Sequence, residues 1–264
     1  MAFVAAFREP SMSLPANPIV VIPARMASSR LPGKPLADIG GEPMVAHVWR
    51  RAVAAGLGDV VVACAEPAIV ETVERIGGRA VLTRADLASG SDRVHEAVEA
   101  LDAQRAYDAV INLQADLPTV EPATIRAACA PLADPAVDIG TVAARIERMA
   151  ERTDPNVVKV AAAFPDGSRI SRALYFSRSP IPWDQGDPDQ PLYHHIGLYV
   201  FRRAALARFV SLPRSPLENR ERLEQLRALE AGMRIDVALV DTVPLGVDTP
   251  ADLARARAIL AGRA

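Results

Sequence analysis

Between Ile19 and Pro122 the chain repeats one pattern: a short β-branched run, a polar turn, then apolar residues at helical spacing. Ile19-Val20-Val21-Ile22 ends at Pro23 and has no polar partner at alternate positions, so it predicts a parallel strand buried on both faces. Further strands are predicted over 59–64, 80–83 and 110–113. The segment 43–55 places Met44, Val45, Val48, Trp49 and Val53 on one helical face. Pro67 opens a second helix that Gly77-Gly78 stops, and 91–101 carries Val94, Val98 and Leu101 at helical spacing, with Ser91 as the expected cap. Another helix begins near Pro122. Four such βα units predict a doubly wound α/β sheet covered on both faces.

The second half changes character. Strand-like pieces at 138–145, 157–164, 170–177 and 195–201 have few helices between them, which predicts an antiparallel extension of a mostly parallel sheet. The proline-rich stretch 180–191 around Trp183 reads as a mobile loop. A helix over 216–231, a strand over 235–240 and a last helix opened by Thr249-Pro250 close the chain, and no internal repeat is evident.

The chain has 264 residues, near the upper size for one core, so a single domain over 19–264 is expected, preceded by a loose extension over 1–18. That extension contains Arg8 and Glu9 and no apolar core of a secretory signal, and Met12 is a second possible start. No apolar run approaches the ~18 residues of a membrane span, so no membrane insertion is expected. A net charge of -2 gives no electrostatic basis for binding nucleic acid. The 2 cysteines, Cys64 and Cys129, lack a metal-site spacing, which suits a reducing, cytoplasmic setting.

Familiar motifs are missing: GxGxxG, HExxH and GxSxG do not occur, and Gly33-Lys34 is followed by Pro35 rather than Ser or Thr. What remains is the loop after the first strand. It carries Arg25, Arg30 and Lys34 with no acid before Asp38, and Lys34 and Lys159 are the chain's only lysines. Open α/β sheets bind ligands at the carboxyl ends of their strands, and clustered cations beside small residues suit a triphosphate. Gln114-Ala115-Asp116 follows the fourth strand, where an aspartate can hold Mg²⁺ against phosphate oxygens. Thr249, Pro250 and Asp252 have the pattern of a helix cap and the first and third helical positions; Asp248 just before them is not needed for capping and is a candidate second metal ligand.

From Ile19 to Arg257 these segments together resemble the 3-deoxy-manno-octulosonate (Kdo) cytidylyltransferases. The resemblance rests on Val21-Ile22-Pro23-Ala24-Arg25 through Arg30-Leu31-Pro32-Gly33-Lys34-Pro35-Leu36, on Ser89-Gly90-Ser91-Asp92-Arg93, and on Asn156-Val157-Val158-Lys159-Val160. It continues through Tyr175-Phe176-Ser177-Arg178, Ile181-Pro182-Trp183, His195-Ile196-Gly197-Leu198-Tyr199, Leu223-Glu224-Gln225-Leu226-Arg227 and Gly246-Val247-Asp248-Thr249-Pro250. The first loop is shared with other sugar nucleotidyltransferases; the later blocks, in this order, are more specific.

The resemblance implies a Rossmann-like nucleotidyltransferase fold and a Mg²⁺-dependent transfer of CMP from CTP to Kdo, giving CMP-Kdo and pyrophosphate in the cytoplasm for lipopolysaccharide synthesis. It implies that Ala24, Arg25 and Lys34 grip the triphosphate, that Arg84, Ser89 and Gly90 border the cytosine, and that Asp116 and Asp248 hold the metal. Gln114, His195, Tyr199, Glu224 and Gln225 would face the sugar acid, with Arg25, Lys34 and Asp116 carrying the chemistry. A homodimer is implied, with 138–210 as the dimerisation and sugar-binding subregion.

Ala115 and Leu117 stand where the family commonly has Gly and Glu, so a methyl at Ala115 crowds the metal site if that backbone needs positive φ. His194 replaces a common Arg or Lys and brings less charge. His195 is either a general base or an orienting group. The alternatives are a related acid sugar such as an amino-substituted Kdo or a sialic acid, or a non-catalytic nucleotide-binding regulator. A glycosyltransferase would need a DxD motif at a strand end, whereas Asp187-Pro188-Asp189 lies in the proline-rich loop.

Overall fold

The computed structural model describes residues 14–262 apart from 29, 166, 185, 188 and 189. Most of the extension expected over 1–18, and most of Asp187-Pro188-Asp189, therefore lies outside the described residues.

The first half follows the sequence pattern. Strand β1 (Pro18–Ala24) leads through a 3-10 turn (Lys34–Leu36) and a two-residue hairpin, β2 (Asp38–Ile39) and β3 (Glu42–Pro43), into helix α1 (Met44–Ala55). Then come β4 (Asp59–Cys64), α2 (Pro67–Arg75), β5 (Arg79–Leu82), α3 (Gly90–Leu101), β6 (Ala109–Asn112) and α4 (Pro122–Ala127). The cap of α3 is Ser89, not Ser91: the Ser89 side chain accepts from the Asp92 backbone N–H, and Ser91 is buried at the second position of the helix. Glycine is required at Gly58, whose φ is 108° and where a Cβ would sit 2.4 Å from the Pro18 carbonyl oxygen.

The remaining elements are β7 (Ile139–Arg145), α5 (Met149–Thr153), β8 (Lys159–Ala161), β9 (Ile170–Arg172), β10 (Tyr175–Ser177), β11 (Tyr193–Arg202) and α6 (Arg203–Ser211). Helices α7 (Pro216–Glu221) and α8 (Leu226–Glu230), β12 (Ile235–Val240) and α9 (Pro250–Leu260) follow. Two expected continuous elements are each split. The strand expected over 170–177 divides into β9, which joins β12, and β10, which joins β8. The helix expected over 216–231 breaks at Arg222, which takes a left-handed φ of 56°.

The main sheet runs β5-β4-β1-β6-β11-β7-β12-β9, with β8 and β10 branching from β11. β1 is parallel to β4 and β6, and β4 is parallel to β5. β11 enters antiparallel to both β6 and β7. β7 therefore runs in the direction of β1, and β12 is parallel to it. Strands β11, β10 and β9 thus run opposite to β1, while β8 and also 138–145, expected to belong to the antiparallel extension, run in the direction of β1.

The sheet is covered on both faces, as the unbroken apolar strands require. Ile19, Val20, Val21 and Ile22 are all 0% exposed. Val20 and Ile22 pack with Val45, Val48, Ile69 and Val73 of α1 and α2 on one face. Ile19 and Val21 pack with Val94, Ala97 and Val98 of α3 and with Leu206 and Phe209 of α6 on the other. In the loop around Trp183, buried Arg152 donates from Nε to Asp184 at 2.8 Å and from Nη2 to the carbonyl of Gln190 at 3.1 Å.

Candidate active site

The sheet's geometry brings the carboxyl ends of β1 and β6 side by side, because those strands are hydrogen-bonded neighbours. A cavity of about 350 Å³ opens there. Its walls contain Ala24, Arg25 and Lys34 from the first loop, Ser89 and Gly90 at the start of α3, Gln114 and Asp116 after β6, and Asp248 before α9. Eight of the residues picked out in the sequence therefore meet in one place.

The first loop is folded back on itself. The Gly33 N–H donates to the Met26 carbonyl at 3.2 Å and the Lys34 N–H to that of Leu31 at 3.1 Å. Gly33 takes φ 68°, ψ 20°, the left-handed conformation that glycine adopts without strain. This bend aims Lys34 inward. On the other side, the Val247 N–H donates to the Asp116 carbonyl at 2.9 Å, tying the segment before α9 to the end of β6. The Thr249 side chain accepts from the Asp252 N–H while Asp252 accepts from the Thr249 N–H, a reciprocal cap that fixes Asp248 just ahead of the helix.

Lys34 Nζ consequently lies between two acids, 2.7 Å from Asp116 Oδ2 and 3.0 Å from Asp248 Oδ1. Burial alone would lower the Lys34 pKa, but the Asp116 and Asp248 carboxylates reverse this and raise it, so the ammonium stays charged. Arg30 contacts the other oxygen of Asp248 at 3.0 Å. Arg25 is exposed and, among the described residues, has no ion pair.

Arg93, another wall residue, is only 2% exposed. It donates to Thr83 Oγ1 at 2.5 Å and to the Arg84 carbonyl at 3.0 Å, both neutral acceptors. Arg25, Arg30, Lys34 and Arg93 outnumber Asp116 and Asp248, so the wall favours a polyanion.

Among the described residues no group of three or more His, Cys, Asp or Glu is arranged to hold a metal. One ammonium touches both Asp116 and Asp248, however, so one cation can satisfy the pair. Two carboxylates completed by substrate oxygens is a donor set suited to Mg²⁺, which seldom takes an all-protein cage. The methyl at Ala115 does not obstruct this arrangement. Among the described non-glycine residues positive φ occurs at Arg105 and Arg222, and Ala115 and Leu117 are each 8% exposed within the core.

The other candidates lie outside this cavity. Arg84 is turned away, its Nε 2.8 Å from Glu96 Oε2. Glu224 lines a second cavity of about 430 Å³ with Arg214, Glu218, Asn219, Arg222 and Arg227, and Ser89 forms part of both walls. Glu224 Oε1 and Gln225 Nε2 are buried without a hydrogen-bond partner among the described residues. Burial raises the Glu224 carboxyl pKa, against the opposing pull of Ser89, Arg227 and Ser91.

His195 and Tyr199 project from β11 into an aromatic cluster, with ring centroids 5.5 Å apart and Phe176 at 4.7 Å from His195. Burial pushes the His195 pKa down to about 3, which keeps the ring neutral and makes it a weak base. Its Nε2 lies 3.1 Å from Thr141 Oγ1. Burial, and then Glu224, raise the Tyr199 phenol, which therefore stays protonated. His194 is neighbour to His195 along the strand and so faces the opposite side of the sheet. Burial lowers its pKa as well, leaving it without the positive charge of an arginine.

Comparison with known proteins follows the same lines. A family model described as Cytidylyltransferase matches residues 19–235. The 3-deoxy-manno-octulosonate cytidylyltransferase of Paramagnetospirillum magneticum is 62% identical over 244 residues, covering 92% of this chain and 98% of the relative. That of Parvibaculum lavamentivorans is 63% identical over 250 residues, covering 95% of each. A solved CMP:2-keto-3-deoxy-manno-octonic acid synthetase complexed with CTP superposes with a TM-score of 0.85 at 40% identity, covering 94% of this chain and 100% of the other. With a cationic loop facing two carboxylates at the strand ends of a nucleotidyltransferase sheet, and with these relatives over nearly its whole length, the chain belongs to the 3-deoxy-manno-octulosonate cytidylyltransferase family of nucleotidyltransferases.

Proposed function

We propose that this chain transfers the cytidylyl group of CTP to the anomeric hydroxyl of Kdo, releasing pyrophosphate and forming the CMP-Kdo used in lipopolysaccharide synthesis. The observation that carries this reading is the position of Lys34 Nζ between Asp116 and Asp248 in a cavity of net positive wall charge. The relatives' name and the CTP complex supply the substrate pair.

In this reading Arg25 and Lys34 bind the triphosphate and offset charge that develops on the departing pyrophosphate. Ser89 and Gly90 flank the nucleoside at the start of α3. Asp116 and Asp248 hold Mg²⁺, which supplies Lewis-acid stabilisation of the phosphate oxygens when bound. Gln114 borders the acid sugar from the nucleotide side. Glu224, Gln225, His195 and Tyr199 border it from the other, where Gln225 Nε2 and Glu224 Oε1, the latter 3.6 Å from Arg227, make no hydrogen bond among the described residues and are available to sugar hydroxyls. His195, neutral and buried, orients substrate rather than taking its proton.

The same reading makes the chain a cytoplasmic homodimer with its contacts in 138–210. Met149, Leu174 and Trp183 support this, being 54%, 66% and 82% exposed within that stretch. Cys64 and Cys129 are both free and buried, and no helix of the described residues is long and apolar enough to cross a membrane.

Pyrophosphate release tests the reaction. The expected result is release with Mg²⁺, CTP and Kdo together, and little with UTP or with Kdo omitted. Release with an amino-substituted Kdo or a sialic acid in preference to Kdo would reassign the sugar. CTP binding by calorimetry with no pyrophosphate formed would make the chain a non-catalytic regulator.

A further inference from the structure

A line of hydrogen bonds joins the two cavities through the protein interior. Ser91 Oγ donates to Glu224 Oε2 at 3.2 Å, Asn112 Nδ2 donates to Ser91 Oγ at 3.3 Å, and Gln114 Nε2 donates to Asn112 Oδ1 at 2.9 Å. The two middle members are shut off from solvent, Ser91 at 3% and Asn112 at 1% exposed. Neither lines the walls of these two cavities, and neither side chain caps α3.

The direction of this line is fixed at one end. Ser91 Oγ donates to Glu224 Oε2, so its single proton points to that carboxyl and the Ser91 oxygen accepts from the Asn112 amide. Asn112 then presents Oδ1 to Gln114, and Gln114 must use its Nε2 there. Besides the second N–H of its Nε2, Gln114 keeps Oε1, an acceptor, and it is this oxygen that lies on the side of cavity-lining Gly90, 3.7 Å from where a Cβ on that glycine would stand.

We propose that Ser91 and Asn112 are positioning residues which transmit the polarity of Glu224 to Gln114, so that the Gln114 carbonyl faces the substrate and accepts a hydrogen bond from a hydroxyl of the bound acid sugar. The proposal rests on the reading that Gln114 borders the sugar. It adds that recognition there is of a hydroxyl donor, and that the preference is set by buried residues that never touch the ligand. A glutamine free to rotate would accept a donor or an acceptor equally; the buried line removes that choice.

The test is a double-mutant cycle on the intact enzyme, reading KM for Kdo, kcat and the calorimetric Kd for CTP measured without sugar. Gln114→Ala is expected to raise KM for Kdo about tenfold, the order of one lost hydrogen bond. Ser91→Ala is expected to raise KM by a similar factor while leaving the Kd for CTP and kcat within about threefold, since it leaves Gln114 in place but free to turn. The double variant is expected to be no worse than Gln114→Ala alone. Ser91→Cys keeps the volume and weakens the donor, and gives the same reading with a smaller rise if the alanine variant is unstable. A rise with Gln114→Ala and none with Ser91→Ala, or effects that multiply in the double variant, overturns the positioning role and leaves the sugar-side role of Gln114 intact. No change with Gln114→Ala overturns both.

Discussion

At the scale of single residues, the site depends on charges that are tightly constrained. Glu224 is a case where function opposes stability. Its carboxyl is raised above the ordinary 4.5 by burial, so the folded protein disfavours the ionised form. The stability cost is absent below the unfolded pKa, grows as pH rises from the unfolded to the folded pKa, and is complete above the folded one. Glu224→Gln is therefore expected to unfold at the same temperature as wild type near pH 4 and at an equal or higher temperature near pH 8, while losing activity with Kdo. A variant less stable than wild type at pH 8 contradicts this. Gly33→Ala forces an alanine into the left-handed region at a cost of about 1–2 kcal/mol and disturbs the bend that aims Lys34. Its expected outcome is a weaker Kd for CTP by calorimetry together with a lower unfolding temperature.

Lys34, Asp116 and Asp248 are legible in the sequence for a physical reason: each stands just past a strand or just before a helix, where the fold exposes side chains to a ligand. Arg93 is not legible. An arginine inside an amphipathic helix reads as a solvent-facing residue, and only the fold shows it buried against neutral acceptors at the cavity wall. Arg84 is the converse, a cation beside the motif whose side chain leaves the cavity to pair with Glu96. The line through Ser91 and Asn112 is also invisible in sequence, since it joins α3, β6 and the turn before α8 across long separations.

At the scale of elements, termini do the positioning. The reciprocal cap of α9 holds Asp248 as well as the helix. Thr249→Ala is expected to cost about 1 kcal/mol of stability and also to reduce turnover, because the residue ahead of the cap loses its support. A loss of stability with unchanged turnover shows that Asp248 is fixed by other contacts. In the loop around Trp183, Arg152 holds the Asp184 carboxyl down to about 2. Asp184→Asn weakens that clasp, and limited proteolysis is expected to cut between 180 and 191 faster than in wild type; an unchanged rate shows that the backbone contacts of Arg152 suffice.

The parallel strands were readable because burial on both faces leaves an unbroken apolar run, and the cap of α9 because Thr249-Pro250-x-Asp252 carries its own geometry, whereas the cap of α3 falls at Ser89 rather than at the expected Ser91. The interruption between α7 and α8 was not. Arg222 adopts the left-handed conformation with no glycine or proline to announce it, so tertiary packing overrides local preference there. Strand direction in the second half was likewise hidden, because an isolated apolar run does not say which neighbour it will meet; the insertion of β11 between β6 and β7 decides it.

At the scale of the whole molecule, two apolar clusters on opposite faces of one sheet leave the strand ends as the open region, and the cavities lie there. The proposed dimer would cover Leu174 and Trp183. Sedimentation is expected to give a dimer for the wild type, and Leu174→Asp with Trp183→Ala to shift it toward monomer. A wild-type monomer at micromolar concentration refutes the proposed assembly without touching the chemistry.

The chemistry is tested most directly by single-turnover pyrophosphate release from CTP and Kdo, comparing wild type with folded Lys34→Ala and Asp248→Asn. If one nucleotide lies against Lys34, Asp116 and Asp248 at once, each variant is expected to be slower by about 10²–10³. Release at the wild-type rate by either variant would contradict the account.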